Sequence, residues 1–104
     1  MAIYKFSKGD MTLRVKVTGN DPYFEKADVL NSIGGAKAMI ESYMPQHAEW
    51  LNYTELIGCI DAIEHGGKGM GRRRINPIYM TRVERLRNWI EWEIIPQLAA
   101  MVLG

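Results

Sequence analysis

The 104-residue sequence has one cysteine, Cys59, so no internal disulfide can hold the fold and stability must come from packing. It has two histidines, His47 and His65, each with few acidic neighbours, which is too few ligands for a closed zinc site. No apolar run approaches the ~20 residues of a membrane helix, so no span is expected. The N-terminal MAIYKFSKGD lacks the apolar core of a secretory signal. The expected compartment is therefore the cytoplasm. The net charge is only +1, so no global field draws the chain to nucleic acid or to an anionic membrane, and any electrostatic binding must be local.

Catalytic signatures are equally scarce. The glycines at 66–71 are not followed by Lys-Ser or Lys-Thr at phosphate-loop spacing and lack the dinucleotide register, so no nucleotide cofactor is expected. Cys59 lies within the apolar stretch Leu56 to Ile63, where burial makes a thiol inert. With no paired acid and base and no activated nucleophile, the chain reads as a non-enzyme with no catalytic residues, no cofactor and no metal. What is present is 47% hydrophobic and 24% charged residues, the balance of a folded domain, in a length suited to one core.

The pattern begins with strands. Met11, Leu13, Val15 and Val17 alternate with Thr12, Arg14 and Lys16, the period of a half-buried strand. Ile3 to Phe6 alternates more briefly, and Lys8-Gly9-Asp10 turns the chain between them. A second turn, Thr18 to Pro22, leads to a short strand at Tyr23-Phe24. The period then becomes helical: Ala27, Leu30 and Ile33 precede Gly34-Gly35, where a left-handed cap ends a helix. A second helix is expected over Ala36 to Tyr43, stopped by Pro45. The pair is either an ordinary helical corner or a helix-turn-helix.

Asn52 and Glu55 form a capping box for a third helix ending near His65. A flexible Gly/Arg loop is expected at about 66–77. A long helix from Met80 carries Val83, Leu86, Ile90 and Ile94 on one stripe, widened by Trp89 and Trp92, until Pro96 bends or restarts it. The tryptophans read as packing residues. The apolar tail, Gln97 to Leu103, is expected on the core or on a second subunit, which makes a homodimer the expected state. These elements predict an α+β fold, an N-terminal β-hairpin or meander followed by several helices, in a single compact domain over 1–104.

The charge is polarised. Between Gly66 and Asn88 lie seven basic residues, Lys68, Arg72, Arg73, Arg74, Arg82, Arg85 and Arg87, and one acid, Glu84; that segment carries +6 and the remainder −5. Such a segment can follow a phosphate backbone through guanidinium contacts. It can equally be a solvated face of weak ion pairs or a docking surface for an acidic protein.

Three blocks resemble the BRO N-terminal domain of baculovirus repeat proteins and phage antirepressors. The first is Asp21-Pro22-Tyr23-Phe24 running through Asp28-Val29 to Ile33-Gly34. The second is Trp50-Leu51-Asn52-Tyr53 through Ile60, with Glu55 where the family usually has glycine. The third is Leu86 through Trp89 to Ile95-Pro96. The stretch between Ile60 and Trp89 is longer than the family's connection and contains the whole Gly/Arg segment. The resemblance implies an α+β scaffold, a bacterial host cytoplasm, and either DNA binding or interference with a phage repressor or host regulatory protein. It implies no catalytic residues.

Overall fold

The computed structural model describes residues 2–35, 37–66 and 76–103. Four strands form one antiparallel sheet in sequence order: β1 (Ala2–Lys8), β2 (Met11–Thr18), β3 (Asp21–Glu25) and β4 (Trp50–Asn52). The helices are α1 (Lys26–Ile33), α2 (Lys37–Glu41), α3 (Tyr53–Gly66), α4 (Pro77–Trp89) and α5 (Ile95–Leu103), with a π turn (Ile90–Ile94) joining the last two. The expected α+β class holds.

The alternation of β2 does what its period dictates: Met11, Leu13, Val15 and Val17 are buried, while Arg14 and Thr18 face solvent. Gly9 and Gly19, at φ +61° and +65°, begin the tight turns on either side of it. β3 is longer than the Tyr23-Phe24 pair suggests. β4 has no period of its own to read; its Leu51 opposes Phe24 of β3 and both are fully buried. The inner face of the sheet meets Val29 and Ile33 of α1, Leu56, Ile60 and Ile63 of α3, and Val83 and Leu86 of α4 in one core. Each such side chain contributes about 1.5–3 kcal/mol of transfer free energy.

β2 extends past the end of β3, so its first residues lack a strand on that side. Helix α1 supplies the missing partners with side chains one turn apart. The Arg14 backbone N–H donates to Asp28 Oδ2 at 2.9 Å. Ser32 Oγ accepts from the Thr12 N–H at 3.3 Å and donates to the Thr12 carbonyl at 3.1 Å. Two polar side chains thus stand in for a ladder that backbone groups would otherwise lack. Asp28 thereby ties α1 to β2.

Gly34, at φ +83°, caps α1 by returning its N–H to the Leu30 carbonyl. Gly35 is needed for a different reason: a Cβ there would lie 2.1 Å from the Tyr79 ring of α4. The helix after this corner is shorter than expected, Lys37–Glu41, because Ser42 to Met44 close into turns. The buried Lys26 ammonium fastens the following segment, donating to the carbonyls of Pro45 at 3.1 Å and Gln46 at 3.4 Å.

The capping box forms as its residues imply. The Glu55 N–H donates to Asn52 Oδ1 at 2.7 Å, and the Asn52 N–H donates to Glu55 Oε1 at 3.0 Å. α4 begins three residues before Met80, because Asn76 accepts from the Ile78 N–H and Pro77 sits where no donor is required. The restart that Pro96 demands is the π turn: the Ile95 N–H reaches back to the Ile90 carbonyl, and the widened turn comes just before the proline ring. Buried Leu86, Trp89, Ile90, Ile94 and Leu98 then line one side.

Trp92 corrects one expectation. It is 75% exposed and does not pack. Two residues beyond Ile90 along a helix is about 200° around it, so the burial of Ile90 turns Trp92 outward. The tail divides similarly: Leu98 is buried, whereas Met101 is 49% exposed.

Candidate nucleic-acid interface

Of the seven basic residues singled out from the sequence, Lys68, Arg72, Arg73 and Arg74, with most of the loop expected at 66–77, lie outside the described residues. Arg82, Arg85 and Arg87 all lie on α4, and the structure separates them. At 100° per residue, Arg82 and Arg85 are near neighbours on the helix surface while Arg87 points elsewhere.

Arg87 faces α3 and the π turn. Its guanidinium donates to the carboxylates of Asp61 and, at 2.8 Å, Glu64, and lies 3.7 Å from Glu91. The Asp61 hydrogen bond and the charges of Glu64 and Glu91 outweigh partial burial and hold the Arg87 proton more firmly than usual. Among the described residues, Glu64 Oε1 and Arg87 Nε are buried without a hydrogen bond. Nearby, Tyr53 has its phenol pKa raised by burial and by the Glu91 carboxylate, against the opposing charge of Arg87. This cluster joins α3 to α4; its arginine is committed to the scaffold.

Arg82 reaches the β1–β2 turn, donating to Asp10 at 3.2 Å, and its guanidinium lies over the Gly34 corner. The pair is open to solvent, with side-chain exposures of 36% and 57%, so it restrains Arg82 only weakly. Arg85 is exposed and forms no ion pair with a described residue.

Arg85, Asn88 and Trp92 fall on one stripe of the continuous helix and line a groove of about 230 Å³ with Lys8, Met11, Trp89 and Glu93. Lys8 and Glu93 of this lining form an ion pair with each other. The groove therefore presents an exposed guanidinium, a carboxamide and an open indole together. It suits contact with phosphate and with a flat ring, and it contains no nucleophile poised beside a base. Asn88 and Trp92 were not readable as surface residues from the sequence. The helical period does imply that positions 85, 88 and 92 share a face, but deciding which face is buried requires the partner elements.

The remaining candidates for chemistry have structural roles. Cys59 is buried among aliphatic side chains, and burial pushes its thiol up to about 11. Among the described residues no cluster of His, Cys, Asp or Glu could hold a metal ion, and no helix is long and apolar enough to cross a membrane. A second groove of about 550 Å³, between Lys26, Leu30, Lys37, Glu41, Glu49 and Trp50, has mixed charge. Comparison of the chain with protein-family models, with curated proteins and with solved structures yields no match.

Proposed function

We propose that this chain is a non-enzymatic DNA-binding regulator of the phage-antirepressor type, acting through the α4 face and the basic segment that precedes it. The supporting observation is the grouping of an exposed Arg85, without an ion pair among the described residues, with Asn88 and Trp92 in a surface groove, on the helix that follows Lys68 and Arg72 to Arg74 in the sequence. In this reading Arg85 and the basic residues Lys68 and Arg72 to Arg74 contact phosphates, Arg82 exchanges its exposed Asp10 partner for a phosphate, and Arg87 keeps the helix in place. The resemblance to the BRO N-terminal domain supports the same reading, with the antirepressor role, the phage or prophage origin and the cytoplasmic location of a host cell belonging to the proposal.

Fluorescence anisotropy with a labelled duplex over a salt series tests it. With about four phosphates neutralised, log K should fall against log salt with a slope of roughly −3 to −4. Arg85→Ala should make the slope shallower by about 1. Absence of duplex binding at low salt, or full binding after Arg72, Arg73 and Arg74 become alanine together, would rule the reading out.

A second reading is a module that captures a phage repressor or host regulatory protein. It is favoured by the exposed apolar surface of Trp92, Pro96, Ala99 and Met101 along the π turn and α5. The same surface suits a homodimer. Light scattering of the parent and of Trp92→Ala with Met101→Ala separates these outcomes: a dimer that the double variant dissociates assigns the surface to self-association, and a monomeric parent leaves it to a foreign protein.

A further inference from the structure

The sheet covers its core with one face only. On the other, β1, β2, β3 and β4 lie side by side with no helix of the described residues over them, and the register places Ile3, Lys16, Tyr23 and Asn52 in one row across all four strands. Lys5 and Arg14 form the next row, and Trp50 stands diagonal to Tyr23. A solvated face is ordinary for an antiparallel sheet, but its usual covering is small or charged side chains. Here Tyr23 of β3 and Trp50 of the edge strand β4 share the face with Lys5, Arg14 and Lys16, and with the acids Asp21 and Glu25.

The Lys16 ammonium lies 4.6 Å from the centre of the Trp50 ring and 5.7 Å from that of Tyr23. Both rings are half-exposed, as is the lysine. Glu25, two residues from Tyr23 on β3, lies 3.5 Å from Arg14 and is partnered by it. Lys5 and Lys16 form no ion pair with a described residue. Positive charge on lysine stems, next to half-exposed rings, complements a ligand with negative charge along a backbone and flat rings at regular intervals.

We propose that this face is a binding platform for single-stranded nucleic acid, distinct from the α4 groove. Bases stack on Trp50 and Tyr23, Lys16 moves from the rings to a phosphate, and Lys5 follows the backbone, while Arg14 neutralises Glu25. Diagonal cross-strand positions are about 7–8 Å apart, within one nucleotide step of an extended strand. A duplex cannot use the platform because its bases are already stacked and paired. Sequence preference is expected to be small, because every base offers a ring face. The sheet platform operates whether or not the α4 groove binds duplex.

The test is anisotropy with labelled twelve-nucleotide oligo-dT and oligo-rU, with unlabelled hairpin duplex as competitor. Binding of either strand supports the platform, and the stronger of the two identifies the sugar it prefers. Tyr23→Ser and Lys16→Glu replace exposed side chains and should each weaken binding at least about tenfold while Arg85→Ala leaves it within about twofold. As an independent readout, oligonucleotide should quench the fluorescence of a Trp92→Phe protein, in which Trp50 and the buried Trp89 remain. Failure of both strands to bind at low salt overturns the proposal. So does binding that Tyr23→Ser and Lys16→Glu leave intact, or that Arg85→Ala alone abolishes. Duplex binding measured in parallel reports on the α4 groove separately.

Discussion

Removing Arg87 should unfold this protein more readily than any other arginine substitution on α4. Its guanidinium serves two carboxylates of α3 at once, and the two contacts differ in value. Asp61 is half exposed, so its share is at the low end for ion pairs, about 0–1 kcal/mol. Glu64 is 22% exposed and has one carboxylate oxygen already buried without a hydrogen bond, so its charge-assisted bond to Arg87 contributes about 1–2 kcal/mol. Arg87→Ala should therefore cost about 2 kcal/mol. For a domain of this size that lowers Tm by roughly 10 °C and the urea midpoint by about 1 M. Arg85→Ala, which breaks no such contact, should stay within about 0.5 kcal/mol of the parent. Adding Glu64→Gln to Arg87→Ala should recover part of the loss, because the stranded charge is then gone. Urea denaturation of these variants decides the matter. If Arg87→Ala matches Arg85→Ala in stability, the α3–α4 cluster does not hold the helix and the division of labour between the two arginines collapses.

Three further outcomes follow from the packing. Gly35→Ala must displace the Tyr79 ring and should destabilise by about 1–3 kcal/mol, and adding Tyr79→Ala should relieve the clash; equal stability of Gly35→Ala and parent in urea would refute it. Asp28→Ala leaves the Arg14 N–H without its acceptor, so exchange of that amide should accelerate and stability should fall by about 1 kcal/mol, whereas unchanged exchange would show that the tether is dispensable. Cys59 has a folded-state pKa of about 11 against an ordinary 9.0. The unfolded chain therefore loses that proton first, and stability should decline as pH rises from about 9 toward 11. Comparing Cys59→Ala with the parent across that window isolates the thiol, and parallel curves would contradict its burial.

Local chemistry alone accounts for much of what is observed. The alternation in β2, the Asn52–Glu55 capping box and the Gly34 cap each depend on residues close together in sequence, so each is readable before any tertiary structure exists. The Pro96 disruption belongs with them, since a ring without a donor disturbs a helix wherever it occurs. β4 is different. Three residues carry no period, and Trp50–Asn52 is a strand only because β3 offers an edge to it.

The candidate sites divide along the same line. That basic residues concentrate between Gly66 and Asn88 is a property of composition and follows from order along the chain. Which arginine of α4 stays exposed is not. Arg87 and Arg85 are interchangeable as letters, and only the approach of α3, with Asp61 and Glu64 aimed at one of them, makes the first a strut and leaves the second exposed. The ring pair beneath Lys16 belongs to the same class, because Trp50 and Tyr23 lie 27 positions apart and meet across a strand pairing. The sequence determines periodicity, caps and charge content through short-range sterics and hydrogen bonding; the choice of which polar and aromatic groups remain available to a ligand depends on long-range packing, and the tertiary structure alone made it.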